Sequence, residues 1–208
     1  MGSTEYLLPE ISAGKQKTIV LAMDKTLLYL TRCRKTSCSW SELVKLGSTD
    51  ITAHLHKRPH VDSLLEALAK LNYEIIVFTS AEKEYVDDIL DKVDVNKVID
   101  YRLYRDSCTK VTEGSVKDLS KLGRDLKNVI IADDNPVSYN LQPENAFPIK
   151  QFVDYECNDT ELLELIDFCK LAAEAEDVRE AFKMQLNTCN DDDQTSTNVK
   201  SESSEEGE

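Results

Sequence analysis

The chain has 208 residues, a formal net charge of −14 and 41% hydrophobic residues, enough for one domain with its own core. Seven acidic residues and one lysine fall in 190–208, which leaves the rest at about −8, and an acidic body disfavours nonspecific DNA or RNA binding because phosphate backbones repel it. No apolar run is long enough for a membrane helix and no signal-peptide pattern opens the chain, so the expectation is a soluble nuclear or cytoplasmic protein with no membrane partner.

Residues 1–16 lack periodicity and read as a flexible lead-in. Residues 17–23 form an apolar run suited to a buried parallel strand. The polar stretch 29–50 reads as an insertion or flap, and Ile51 to Lys57 alternates as a short strand. Pro59 can open a helix, in which Leu64, Leu65, Leu68 and Leu71 recur at helical spacing before Asn72. Tyr73 to Thr79 is a second buried strand, and residues 82–92 suit a helix with Tyr85, Val86, Ile89 and Leu90 inward. Tyr101–Tyr104 and Cys108–Val111 read as short strands joined at Arg105–Ser107, followed by a helical turn over Val116–Leu122. Asn128 to Ala132 is a third buried strand ending in Asp133 and Asp134, and Ile149–Val153 reads as a last strand. An amphipathic helix covers 159–171 and another covers 176–186. The domain is therefore bounded at 17–186, and 187–208 is an acidic tail with almost nothing to bury, expected to be disordered. The six cysteines show no zinc-ligand spacing and read as free thiols, and the three histidines read as structural.

Strands alternating with helices predict an α/β fold, a Rossmann-like parallel sheet flanked by helices, with a small insertion after the first strand. In such sheets ligands gather at the carboxyl ends of the strands. Three groups sit just past apolar strands and should converge: Ala22 to Thr26, Thr79 to Ser80, and Asp133 to Asn135. The chemistry such groups suit is phosphoryl transfer, which needs a nucleophile, a divalent cation and neutralisation of the phosphate oxygens. Each group also has an ordinary reading: Thr79 as a helix cap, Asp133 and Asp134 as turn residues, Lys117 as a surface charge.

The run Ala22-Met23-Asp24-Lys25-Thr26 resembles the D-x-D-x-T signature of the haloacid dehalogenase superfamily, with Ala22 in place of the first Asp. More motifs follow in order: Lys57-Arg58-Pro59-His60-Val61-Asp62, Val77-Phe78-Thr79-Ser80, Arg105-Asp106-Ser107-Cys108, Val116 to Arg124, Asp133-Asp134-Asn135-Pro136, Pro143 to Ala146, and Asp159 to Leu163. Together they resemble the TFIIF-associating and small CTD phosphatases (the FCP homology domain) over about 17–186. That resemblance implies magnesium-dependent hydrolysis of phosphoserine or phosphothreonine in protein segments, such as the RNA polymerase II tail, through an aspartyl-phosphate. It implies Asp24 as general acid/base facing the metal with its main chain, Thr79 and Lys117 on the phosphate oxygens, and Asp133 as metal carboxylate with Asp134 beside it. Tyr85 and Arg105 match positions that contact substrate peptide, and Arg58 matches a supporting position.

Ala22 breaks the pattern, because it removes the nucleophile and one metal ligand. Losing a covalent nucleophile costs on the order of 10⁴–10⁶ in rate, so no useful turnover is expected and magnesium binding is expected to weaken. Three readings stay open: a pseudophosphatase that binds phosphoprotein or protein partners, an inactivated copy of a magnesium-dependent Ser/Thr phosphatase, and a binding domain like the mitochondrial import receptor that uses this fold.

Overall fold

The computed structural model describes residues 6–31, 41–45, 52–153 and 158–183. In chain order the elements are β1 (Lys17–Leu21), β2 (Leu28–Thr31), β3 (Ser41–Lys45), β4 (Thr52–Lys57), α1 (Val61–Lys70), β5 (Tyr73–Phe78) and α2 (Lys83–Val93). Then come β6 (Tyr101–Leu103), β7 (Thr109–Val111), β8 (Gly114–Val116), β9 (Val129–Asp133), β10 (Ala146–Pro148) and α3 (Glu161–Glu174). Short 3₁₀ turns fill several of the connections, and 178–183 is helical.

Five strands form one sheet in the order β10-β9-β1-β5-β6, and every pairing in it is parallel. β1 lies at the centre, and the chain runs to one side of it through β5 and β6 before returning to the other side for β9 and β10. Such a reversal opens a crevice at the carboxyl end of the central strand. The strands are buried on both faces, so their residues split between two cores. Ile19, Leu21, Ile75, Val77, Ile130 and Ala132 pack on the helical side with α1, α2 and α3 residues. Val20, Ile76, Phe78, Val129 and Ile131 pack on the other side under Leu119, Leu122, Tyr139 and Leu8. Continuous apolar strands are what two-sided burial requires.

The predicted insertion contributes two strands: β2 and β3 flank β4 in an antiparallel sheet of three. Residues 32–40 and 46–51 lie outside the described residues, as do 154–157 and 184–208, which include the predicted acidic tail. Three expectations need correction. Ile149–Val153 is not a strand; the fifth sheet strand is Ala146–Pro148, and Ile149 and Phe152 are buried by packing instead. Thr109–Val111 does not continue from β6 but folds back on Gly114–Val116 as a hairpin, which also removes Val116 from the predicted helical turn. The turn itself covers Leu119–Leu122.

Residues 6–16 carry no strand or helix but are tied down: Leu7 N–H donates to Lys121 O at 2.8 Å, and Arg124 donates to Pro9 O at 2.7 Å. Gly123 makes this possible. Its φ is +74°, and a Cβ there would stand 2.8 Å from the Tyr6 ring. Gly123→Ala is therefore expected to cost about 1–3 kcal/mol, seen as a lower urea midpoint and faster proteolysis within 6–16.

Candidate active site

β1 delivers Ala22 into the crevice. Its N–H still donates to Ala132 O at 2.9 Å, so the β1–β9 ladder extends one residue past the strand. Thr79 stands at the end of β5 and Asp133 at the end of β9, the two neighbours of β1. The three strand-end groups read from the sequence thus occupy one end of one sheet. Ala22 is 3% exposed, Thr79 2% and Asp133 2%, so the floor of the crevice is almost sealed from solvent.

Lys117 reaches this floor from the turn after β8. Its N–H donates to Ser138 O at 2.8 Å, and its ammonium donates to Asp133 Oδ2 at 2.5 Å with both side chains buried. The other Asp133 oxygen accepts from Asn135 N–H at 2.8 Å. Asp134 points elsewhere: its oxygens accept from Thr26 Oγ1 at 3.3 Å and from Gln151 Nε2 at 3.1 Å. Thr79 Oγ1 accepts from Ala81 N–H at 3.1 Å, which leaves its hydroxyl hydrogen to donate. These contacts make Lys117 a buried paired cation rather than a surface charge.

Asp24 follows two residues on, exposed at its surface yet with protein packed around its carboxyl. That crowding raises its carboxyl above the usual carboxylate range; nearby Asp134 adds to the shift and Lys117 opposes it. A carboxyl raised on folding becomes harder to ionise in the folded state, so it lowers stability as pH climbs past the unfolded value and does nothing well below it. Asp24→Asn is thus expected to raise the melting temperature at neutral pH and leave it unchanged near pH 3, checked by thermal melts at both.

Asp24 lines an open pocket of about 350 Å³ with Ser80, Ala81, Glu82, Tyr85 and Arg105. Arg105 lies along its rim, donating from Nε to Ser80 O at 2.7 Å and from Nη1 to Glu82 Oε1 at 2.8 Å. Burial, with the charge of Asp24, raises the Tyr85 hydroxyl above its ordinary value. The predicted peptide contacts Tyr85 and Arg105 therefore share a wall with Asp24. Ser80, in a strand-end group read from the sequence, lines the pocket as well, whereas Glu82 and Ala81 were missed, since nothing in the apolar pattern distinguishes them. A larger cavity of about 670 Å³ lies among Pro143, Phe147, Asp177, Arg179 and Phe182, and it contains none of the strand-end residues.

Arg58 braces the loop that carries Asp24. It is 1% exposed and forms a two-pronged pair with Asp159, from Nε at 2.8 Å and Nη2 at 2.7 Å. Its remaining donors reach Thr26 O at 3.1 Å and Lys150 O at 2.9 Å, and its guanidinium lies 5.4 Å from the centre of the Phe152 ring. Phe152 N–H in turn donates to Lys25 O at 2.7 Å. One cation thus joins the loop after β1, the segment after β10 and the turn that leads into α3.

The profile described as "NLI interacting factor-like phosphatase" matches residues 17–179. The chain belongs to this family. It is 42% identical over 163 residues to a probable C-terminal domain small phosphatase of Dictyostelium discoideum, covering 78% of this chain and 53% of that protein. It is 37% identical over 189 residues to the CTD small phosphatase-like protein of Homo sapiens, covering 89% and 66% respectively. The chain thus spans about half to two thirds of the length of these relatives. Among solved structures it is similar to Fcp1, an essential RNA polymerase II CTD phosphatase, with a TM-score of 0.53 at 16% identity over 83% of this chain and 53% of that one. A beryllium fluoride complex of fission yeast Fcp1-R271A gives 0.52 at 18% identity over 85% of this chain and 56% of that one. These likenesses establish the fold, an α/β haloacid dehalogenase-like sheet flanked by helices.

Phosphatases of this superfamily typically use magnesium. Magnesium is held by one or two carboxylates with waters and phosphate oxygens. Ala22 offers a methyl, Asp133 is ion-paired to Lys117 and accepts from Asn135 N–H, and Asp134 accepts from Thr26 and Gln151. Among the described residues no group of three or more His, Cys, Asp or Glu stands close enough to hold a metal. The donor set does not fit the ion. Nor is any helix among the described residues long and apolar enough to cross a membrane.

Proposed function

We propose that this member of the NLI interacting factor-like phosphatase family is a pseudophosphatase, which binds phosphoserine or phosphothreonine in a protein segment without turning it over. The carrying observation is Ala22: the central strand presents a methyl at the junction of Thr79 and Asp133. No neighbour replaces the missing carboxylate, because Met23 is buried in the helical-side core and Asp24 lies at the pocket mouth. In this reading the hydroxyl of Thr79 and the ammonium of Lys117 donate to the phosphate oxygens. Asp24 stands above them, and Tyr85 and Arg105 contact the flanking peptide. The similarity to an RNA polymerase II CTD phosphatase supports a polymerase-tail-like segment as ligand, and with it a nuclear location.

The test is fluorescence polarisation with labelled phosphoserine peptides. Binding that falls at least tenfold on Lys117→Ala supports the reading, whereas no binding across a phosphopeptide array removes it. The intact Thr79, Lys117 and Asp133 also favour a second reading, in which the protein is a Ser/Thr phosphatase of which this chain is an inactivated copy. Restoring the carboxylate at 22 separates the two.

A further inference from the structure

The disagreement between family and donor set points further. We infer that this chain works without a divalent cation, and that the ammonium of Lys117 takes the charge-neutralising place in the crevice. For its second half this rests on the phosphate-binding reading above; the first half stands alone.

A phosphate that meets an aspartate nucleophile brings negative charge against negative charge, and a divalent cation is what holds such a group together. At position 22 that charge is absent. Asp134 accepts one hydrogen bond from Thr26 and one from Gln151, and among the described residues it makes no ion pair with Lys117. One carboxylate, Asp133, stays against the floor, and Lys117 already meets it at 2.5 Å. Asp133 thus already has an internal cation against one oxygen, with the second oxygen on a backbone N–H. Breaking that pair would expose a buried carboxylate, and a buried charge stripped of its partner is strongly unfavourable.

Lys117 still has capacity. An ammonium carries three hydrogens, and among the described contacts Asp133 takes one of them. The hydroxyl hydrogen of Thr79 adds a further donor on the adjoining strand end. A tetrahedral oxyanion of the phosphate monoester class can accept from both while the methyl of Ala22 makes room. The expected ligand is therefore a phosphorylated side chain alone, not a phosphate–magnesium pair.

The experiment is electron paramagnetic resonance of Mn²⁺ titrated with the chain, alongside peptide binding in EDTA and in magnesium. The expected result is an unchanged free Mn²⁺ signal and superimposable phosphopeptide curves in the two buffers. Ala22→Asp, with folding checked by circular dichroism, is expected to quench the Mn²⁺ signal and to bind peptide only when magnesium is present. Submillimolar Mn²⁺ binding by the parent chain overturns the inference, as does loss of its peptide binding in EDTA. No Mn²⁺ binding together with no peptide binding in either buffer leaves the metal-free assignment standing and removes the phosphate-binding reading. Should the variant not fold, the Mn²⁺ titration of the parent chain decides by itself.

Discussion

Replacing Ala22 by Asp is expected to raise magnesium-dependent hydrolysis of an aryl phosphate by about 10⁴–10⁶-fold over the parent chain. The size follows from what is missing. The variant would place a carboxylate on the central strand, between a threonine hydroxyl and a buried lysine that already occupy their strand ends. It would share the Lys117 ammonium with Asp133, which now accepts from it at 2.5 Å. Hydrolysis is followed by release of p-nitrophenol, with and without magnesium. A parent chain that matched the variant would mean another nucleophile is present. A folded variant that stayed inert would mean that the crevice lacks more than the carboxylate at 22.

Arg58→Met is expected to cost about 3–5 kcal/mol of stability, because it strands a buried carboxylate. Asp159 has a side chain only 2% exposed, and Arg58 is its ion-pair partner. The same change leaves the carbonyls of Thr26 and Lys150 without these donors. Urea unfolding measures the loss. Adding Asp159→Leu to Arg58→Met should recover a good part of it, since removing both charges is far less costly than removing one. A double variant no better than the single would mean that the carbonyl contacts, not the ion pair, hold the segments together. Because Thr26 closes the loop that carries Asp24, the single variant should also weaken phosphopeptide binding under conditions where it remains folded.

The central strands were legible because two-sided burial leaves an unmistakable apolar run, as at Ile19–Leu21, Ile75–Phe78 and Val129–Ala132. The same logic misplaced the fifth strand. Ile149 and Phe152 are apolar because they are buried, but Phe152 is buried under Arg58, outside any ladder. The true strand, Ala146–Pro148, is short and ends in proline, which suits a sheet edge but carries little signal. Of the β7–β8 hairpin, Cys108–Val111 was read as a strand but its partner Gly114–Val116 was missed for the opposite reason: Thr112 to Ser115 is partly exposed and polar, so nothing marks it as paired. For the site, strand ends located Ala22, Thr79 and Asp133, while motif order alone supplied Lys117, Tyr85 and Arg105. Neither could show that Asp134 turns away to Thr26 and Gln151, since that depends on Gln151 arriving from another segment.

The strand order has a consequence for how the polypeptide is made. β1 acquires β5 within about sixty residues, but its other neighbour, β9, begins only at Val129. Until the ribosome has delivered that segment, one flank of the central strand has open hydrogen-bonding groups beside Ile19, Val20 and Leu21. Such a flank can recruit strands from other nascent chains. A product that stops between Val116 and Asn128 is thus expected to be captured by chaperones or to precipitate, whereas one that reaches Pro148 can close the sheet. The strand ends on either side of Ala22 are present together only from that moment, so the crevice is assembled late in synthesis.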